Sequence, residues 1–206
     1  MVVAGTGTDV GKTWLACQLV GHLRRRGLVV AARKPAQSFA SGAGVATDAD
    51  LLAEATGEKA TDVCPAWRWY PKALAPPMAA ESMGLAPFSL DELLGEVSWP
   101  EGADVGLVEL AGGIGSPMAS DGDGVDTVQR LSPDRVVLVA SAGLGTLSNI
   151  GLALRALGDY PEVAVYLNRF DGDDETHAAN RRWLGAQTRA MVSVDVTQLS
   201  ELLVAP

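Results

Sequence analysis

The apolar stub Val2-Val3-Ala4 runs straight into Gly5-Thr6-Gly7-Thr8-Asp9-Val10-Gly11-Lys12-Thr13. Few arrangements constrain a fold more than a strand, a Gly-rich turn and Gly-Lys-Thr opening a helix. Glycines let successive backbone N–H groups converge on an anion, and the helix N-terminus adds partial positive charge. In such a cradle Lys12 neutralises the β/γ-phosphates and the Thr13 hydroxyl holds Mg²⁺. The pattern G-x-x-x-x-G-K-[ST] is missed by one residue, because Thr6 stands where its first Gly belongs. The following helix is supported by Trp14, Leu15, Leu19, Val20 and Leu23 at helical spacing, with Arg24-Arg25-Arg26 and Gly27 at its end. A nucleoside triphosphate site is the first expectation.

The 206 residues suit one α/β domain over 1–206. A net charge of −9 without a basic stripe disfavours nucleic acid, which needs clustered Lys and Arg to displace counterions. No apolar run reaches the length of a membrane span, and the phosphate loop starts too early to leave room for a signal peptide. Cys17 and Cys64 lack metal-like spacing, so free thiols in a reducing cytoplasm are expected.

Strand-like runs at Val2–Ala4, Leu28–Arg33, Val105–Glu109, Arg135–Ala140, Val163–Leu167 and near Met191–Val194 alternate with helical patterns. Helices are predicted at Lys12–Arg26, Asp48–Thr56, Leu90–Val97, Leu147–Leu157 and Glu175–Ala190. This alternation predicts a mostly parallel, doubly wound sheet, a P-loop NTPase architecture with a deviant Walker A loop. Ligands of such sheets gather at the carboxyl ends of the strands. There the sequence places Lys34-Pro35-Ala36-Gln37-Ser38, Glu109, Ala111-Gly112-Gly113, Gly145-Thr146-Leu147-Ser148 and Asn168-Arg169.

Pro35 holds Lys34 extended, which carries a second ammonium towards the phosphate loop. Glu109 ends an apolar strand in a carboxylate, a layout that aims an acid at nucleotide-bound Mg²⁺. Asp48 either joins it as a second metal-directed acid or shares with Thr47 the capping of a helix; Asp50 is one helical step away. The N–H groups of Gly145, Thr146 and Leu147 suit a carboxylate or phosphate, although a Ser or Thr cap accounts for the spacing equally well. Asn168 either reads a nucleobase or turns the chain, and His177 belongs to a solvated helix face.

With these residues in view, the chain resembles the dethiobiotin synthetase family. Residues 5–13 are similar to its loop G-T-[DG]-T-x-V-G-K-T, and Lys34-Pro35-Ala36-Gln37-Ser38 to its K-P-V-x-[ST]. Glu109-Leu110-Ala111-Gly112-Gly113 is similar to its E-G-A-G-G, Leu144-Gly145-Thr146-Leu147-Ser148-Asn149 to its L-G-T-[IL]-N-H, and Arg68-Trp69-Tyr70-Pro71 with Ala75-Pro76 to its middle segment. The resemblance implies a cytoplasmic, homodimeric ligase that converts 7,8-diaminopelargonate, CO₂ and MgATP to dethiobiotin, ADP and phosphate. It implies that Lys12, Lys34 and Thr8 are catalytic. Asp9, Val10, Gly11, Lys12, Thr13, Trp14, Glu109, Gly112 and Asn168 would bind nucleotide. Thr13, Asp48 and Glu109 would hold Mg²⁺. Ser38 would meet the diamine, and Gly145, Thr146 and Leu147 the substrate carboxylate, in a pocket at the dimer interface.

Three departures stand out. Leu110 and Phe39 occupy positions where the family has Gly, placing bulk beside the presumed substrate, and Ser148 replaces an Asn. The end also lacks the family's G-x-x-P-like loop that helps hold adenine. Two other readings fit parts of the pattern: a diverged P-loop ligase or kinase acting on another carboxylate, and a partition-type switch ATPase. The switch is disfavoured, because Gly7 stands where such proteins carry a second loop lysine and no basic amphipathic helix follows.

Overall fold

The computed structural model describes residues 1–40, 42, 45–160 and 162–203. Its centre is a parallel sheet of β1 (Val2–Gly5), β2 (Val30–Arg33), β3 (Val105–Glu109), β4 (Val136–Ser141), β5 (Val163–Asn168) and β6 (Met191–Ser193). The spatial order is β6-β5-β4-β1-β3-β2, so the sheet winds both ways from β1 and both faces are covered. Period-two alternation assigns the faces. Val2, Ala4, Val136, Leu138, Ala140, Val165 and Leu167 pack on one side, and Val3, Val137, Val139, Ala164 and Tyr166 on the other.

Helix α1 (Lys12–Arg25) lays Leu15, Leu19 and Leu23 on the second face, beside α2 (Asp48–Thr56) with Leu52. The short helices α3 (Ala60–Val63), α4 (Pro76–Ser82), α5 (Leu90–Gly95) and α6 (Gly124–Leu131) fill the connections around β3. Helix α7 (Thr146–Leu157) and α8 (Glu175–Gln187) cover the first face through Ile150, Ala153 and Leu184. Helix α9 (Val196–Leu203) returns to α1's side through Leu199 and Leu203.

The six expected strands and five expected helices are present, some ends shorter and others, as at Gly5, Ser141, Thr146 and Asn168, one residue longer than expected. β2 starts at Val30, because the chain leaves α1 through Gly27 at φ 87° and the Leu28 amide still bonds the Leu23 carbonyl. Helices α3, α4, α6 and α9 were not expected; they run from four to eight residues, about one to two turns, over which apolar periodicity is weak. No helix among the described residues is long and apolar enough to cross a membrane.

Candidate functional site

The end of β1 supplies the phosphate loop, and hydrogen bonds from neighbouring segments fix its shape. The Thr6 amide bonds the Val139 carbonyl (2.9 Å), and the Ile114 amide bonds the Gly5 carbonyl (2.7 Å). Gly11 caps α1 at φ 98°, a left-handed backbone that favours glycine, and a Cβ there would lie 2.0 Å from Asn168 Nδ2. That close approach is needed because the Asn168 amide donates to the Val10 carbonyl at 2.9 Å. Gly113 also packs closely on the loop, where a Cβ would stand 3.2 Å from Gly7 Cα.

Five charged or hydroxyl side chains from four segments meet at the mouth of this loop. Lys34, carried past the end of β2, places Nζ 2.6 Å from Glu109 Oε1 and 2.7 Å from Asp48 Oδ2. Thr13 Oγ1 donates to Asp48 Oδ1 (2.8 Å) or Glu109 Oε1 (2.9 Å), having one proton for two acceptors. Lys12 donates to the Gly7 carbonyl at 2.9 Å, which leaves two of its three protons for a ligand. Asp48 is free to face the cluster because Thr47 and Asp50 form the capping box of α2 between themselves. The alternative of Asp48 as the cap is thereby closed.

Burial sets the electrostatics. Lys34 is 2% exposed and Glu109 is fully buried. Burial alone depresses a lysine, but the Glu109 and Asp48 carboxylates outweigh it and hold Lys34 protonated well above the usual range. Burial also opposes charge on Asp48, yet Lys34, with Thr13 and Lys12, leaves that carboxyl below its ordinary value. At Glu109 burial wins and pushes the carboxyl up, with Lys34 the strongest opposing influence. Lys12 is lowered, first by burial and then by the Lys34 charge.

Glu109 Oε2 is buried with no hydrogen-bond partner. An unpaired carboxylate oxygen beside a hydroxyl and a second carboxylate is a hard-oxygen donor set, which suits Mg²⁺. Among the described residues no group of three or more His, Cys, Asp or Glu is arranged to hold a metal. Two carboxylates and the Thr13 hydroxyl fit Mg²⁺, which proteins commonly hold through one or two carboxylates.

A cavity of about 780 Å³ opens over the cluster and runs along the loop. Of the residues singled out in the sequence, Thr8, Asp9, Gly11, Lys12, Thr13, Trp14, Lys34, Ser38, Asp48, Glu109 and Gly112 line it. Sequence reasoning gave no role to Gln37, Leu74 or Arg169, which also line it. Gln37 lies within a motif already singled out: its Oε1 accepts from the Ala49 amide (3.0 Å) and its Nε2 donates to Thr47 Oγ1 (3.3 Å), gripping the start of α2. Arg169, at φ 57°, donates to the Asp9 carbonyl at 3.2 Å. The Ser38 hydroxyl donates to the Leu74 carbonyl at 2.5 Å and so tethers the far wall.

Other expectations land elsewhere. Val10 is buried and contributes its carbonyl to Asn168 rather than a face to the cavity. Asn168 itself is buried behind the loop. Leu110 does not line the cavity, because the alternation of β3 continues one residue past its end and sends it with Val108 into the core, 1% exposed. Phe39 does line the cavity, beside Ser38. Gly145, Thr146 and Leu147 lie outside the lining of this chain's cavity. Gly145 caps α7 at φ 85° without a side-chain bond, Leu144 before it is 94% exposed, and the buried Thr146 hydroxyl has no partner. Ser148 is exposed on the same turn.

The family described as "AAA domain" matches residues 1–202. The ATP-dependent dethiobiotin synthetase of Caulobacter vibrioides is 42% identical over 163 residues, covering 76% of this chain and 73% of that protein. The enzyme of the same name from Rhodococcus jostii is 37% identical, over 76% of this chain and 67% of its own length. That of Haloferax mediterranei is 36% identical, over 90% of this chain and 78% of its own. Two solved structures share the fold. A nucleotide-binding protein in complex with ADP from Archaeoglobus fulgidus has TM-score 0.52 at 14% identity, over 98% of this chain and 85% of its own. The signal recognition particle receptor FtsY of Elizabethkingia anophelis has TM-score 0.53 at 16% identity, over 97% of this chain and 63% of its own.

Proposed function

Since this chain belongs to the dethiobiotin synthetase family, we propose that it is an ATP-dependent ligase that closes a cyclic urea on a vicinal diamino carboxylate, 7,8-diaminopelargonate. The carrying observation is the Lys34 ammonium held between Glu109 and Asp48 at the mouth of the phosphate loop. One amine takes up CO₂ as a carbamate. A carbamate oxygen attacks the γ-phosphorus and ADP leaves. The neighbouring amine then attacks the carbamate carbon, expels phosphate and closes the ring. Each step gathers negative charge where the cluster presents cations, so most of the acceleration is positioning and electrostatic screening.

The residues divide that work. Lys12 and the loop amides take the β/γ-phosphates, with Thr8 beside them. Lys34 faces the transferring phosphoryl group and the carbamate oxygens. Thr13, Asp48 and Glu109 would hold Mg²⁺, which would supply positive charge against the charge developing in phosphoryl transfer. The orphan oxygen Glu109 Oε2 supports that assignment. Phe39, Leu74 and Pro76 give the cavity an apolar wall for a methylene chain.

The substrate's carboxylate needs a positive end, and the N-terminus of α7 offers one outside this chain's cavity. We therefore place it in the cavity of a second copy, making the working unit a homodimer of one nucleotide-binding domain each. The direct test supplies MgATP and ¹³C-bicarbonate with and without the diamine. Diamine-dependent ADP release with label in a cyclic urea is the expected result. ADP release indifferent to the diamine would sink the proposal.

A further inference from the structure

The geometry says which way a nucleotide must lie. Groups that meet the terminal phosphate, Lys34 and Glu109, follow β2 and β3, on one side of β1. The nucleoside therefore leaves the loop on the other side, above β4 and β5. There the described cavity wall presents Trp14, on the first turn of α1, and Arg169, after β5.

Trp14 is 48% exposed, although it stands at the floor of a cleft. Its indole is backed by the Tyr166 ring, with centroids 6.4 Å apart and planes at 32°. Tyr166 is only 4% exposed, so the backing is part of the core and the indole is held in place. The Asn168 side-chain N–H serves the Val10 carbonyl, and one of the five Arg169 N–H groups serves the Asp9 carbonyl. What this end of the cleft offers is one rigid aromatic face, with a guanidinium beside it that matches no particular base edge.

We propose that Trp14 is the platform on which the nucleobase stacks, and that this chain selects nucleotides by ring area rather than by the hydrogen-bonding pattern of the base edge. The proposal rests on the nucleotide-binding reading of the loop and not on which diamine is used. Every base has a π-face, so stacking accepts adenine and guanine alike and holds the smaller pyrimidines less well.

Calorimetric titration with ATP, GTP, CTP, UTP and inorganic tripolyphosphate tests it on wild type, Trp14→Ala and Trp14→Phe. Wild type binds ATP and GTP with similar affinity and CTP and UTP more weakly. Trp14→Ala loses about ten-fold or more in ATP affinity, the usual scale of one base–aromatic stack, while tripolyphosphate binding stays within about two-fold. Trp14→Phe keeps most of the ATP affinity. The proposal is overturned if Trp14→Ala binds ATP like wild type, or if ATP and tripolyphosphate weaken together, which would make Trp14 a prop for the loop. Strong discrimination of ATP from GTP by wild type overturns it as well. Diamine-dependent ADP release by the wild type tests the ligase reading separately, so the two can fail independently.

Discussion

Lys34 Nζ lies 2.6 Å from Glu109 Oε1, and both side chains are closed to solvent. A buried ion pair of this kind is balanced finely. Each charge is costly out of water, and only the partner and its hydrogen bonds offset that cost. Asp48 adds a second carboxylate at 2.7 Å, so one ammonium serves two acids.

Removing the ammonium therefore has two consequences. Lys34→Ala is expected to abolish diamine-dependent ADP release and to cost about 3–5 kcal/mol of stability, the usual penalty for stranding a buried charge. Adding Glu109→Gln removes the stranded charge and restores part of the urea midpoint, without restoring turnover. A single variant as stable as wild type, or a double variant no better than the single, would show that the pair is not buried as described.

The same cluster sets a pH dependence. The two carboxylates raise Lys34 above the ordinary value of 10.5 in the folded chain. A raised value stabilises fully below the unfolded pKa, and that contribution is lost as pH climbs through the folded one. Asp48 acts in the opposite sense: held below 3.8, it stabilises above that value and loses its contribution as pH falls through the folded pKa. Urea midpoints from about pH 9 to about pH 12 should fall more steeply for wild type than for Lys34→Met. Parallel curves would assign the alkaline loss to other groups.

How far these features could be read in advance depended on whether a local rule decided them. Lys34 was legible because Pro35 forces an extended exit from a strand, and Glu109 because a carboxylate closes an apolar run. Asp48 was ambiguous, since Thr47, Asp48 and Asp50 all suit a helix start; the capping box between Thr47 and Asp50 resolves it. Leu110 was misplaced by comparing it with a glycine, when the alternation Val108, Leu110 already directed it inward. The α7 turn was correctly placed at a strand end. Which cavity it faces depends on the path of the loop, and no residue pattern encodes that path.

Gln37 is the part of the site that sequence left without a role. Its two bonds to the start of α2 fix the backbone that carries Asp48. Gln37→Leu should leave ATP affinity nearly unchanged, raise the Mg²⁺ concentration for half-maximal ADP release, and lower kcat by about five- to ten-fold, the scale of one lost buried hydrogen bond. Gln37→Glu keeps the acceptor for the Ala49 amide and should recover part of the Mg²⁺ response. Equal loss of ATP affinity and Mg²⁺ response in both variants would mean general damage instead.

The exposed turn before α7 gives the last prediction. Leu144 is 94% exposed, and the N-terminus of α7 beside it lies outside this chain's cavity. Leu144→Glu sets a negative charge where the proposed carboxylate would dock on a second copy, so it should raise KM for the diamine while ATP binding survives. Such a surface change is unlike Lys34→Ala, which would disable the phosphate end of the proposed composite site. Mixed together, the two variants would form about one half hybrid dimers, each with one intact site. Activity should then return to about one quarter of wild type, although each parent alone is poor. Two folded parents that give no gain on mixing would confine the site to a single chain, and a fully active Leu144→Glu would remove the α7 turn from it.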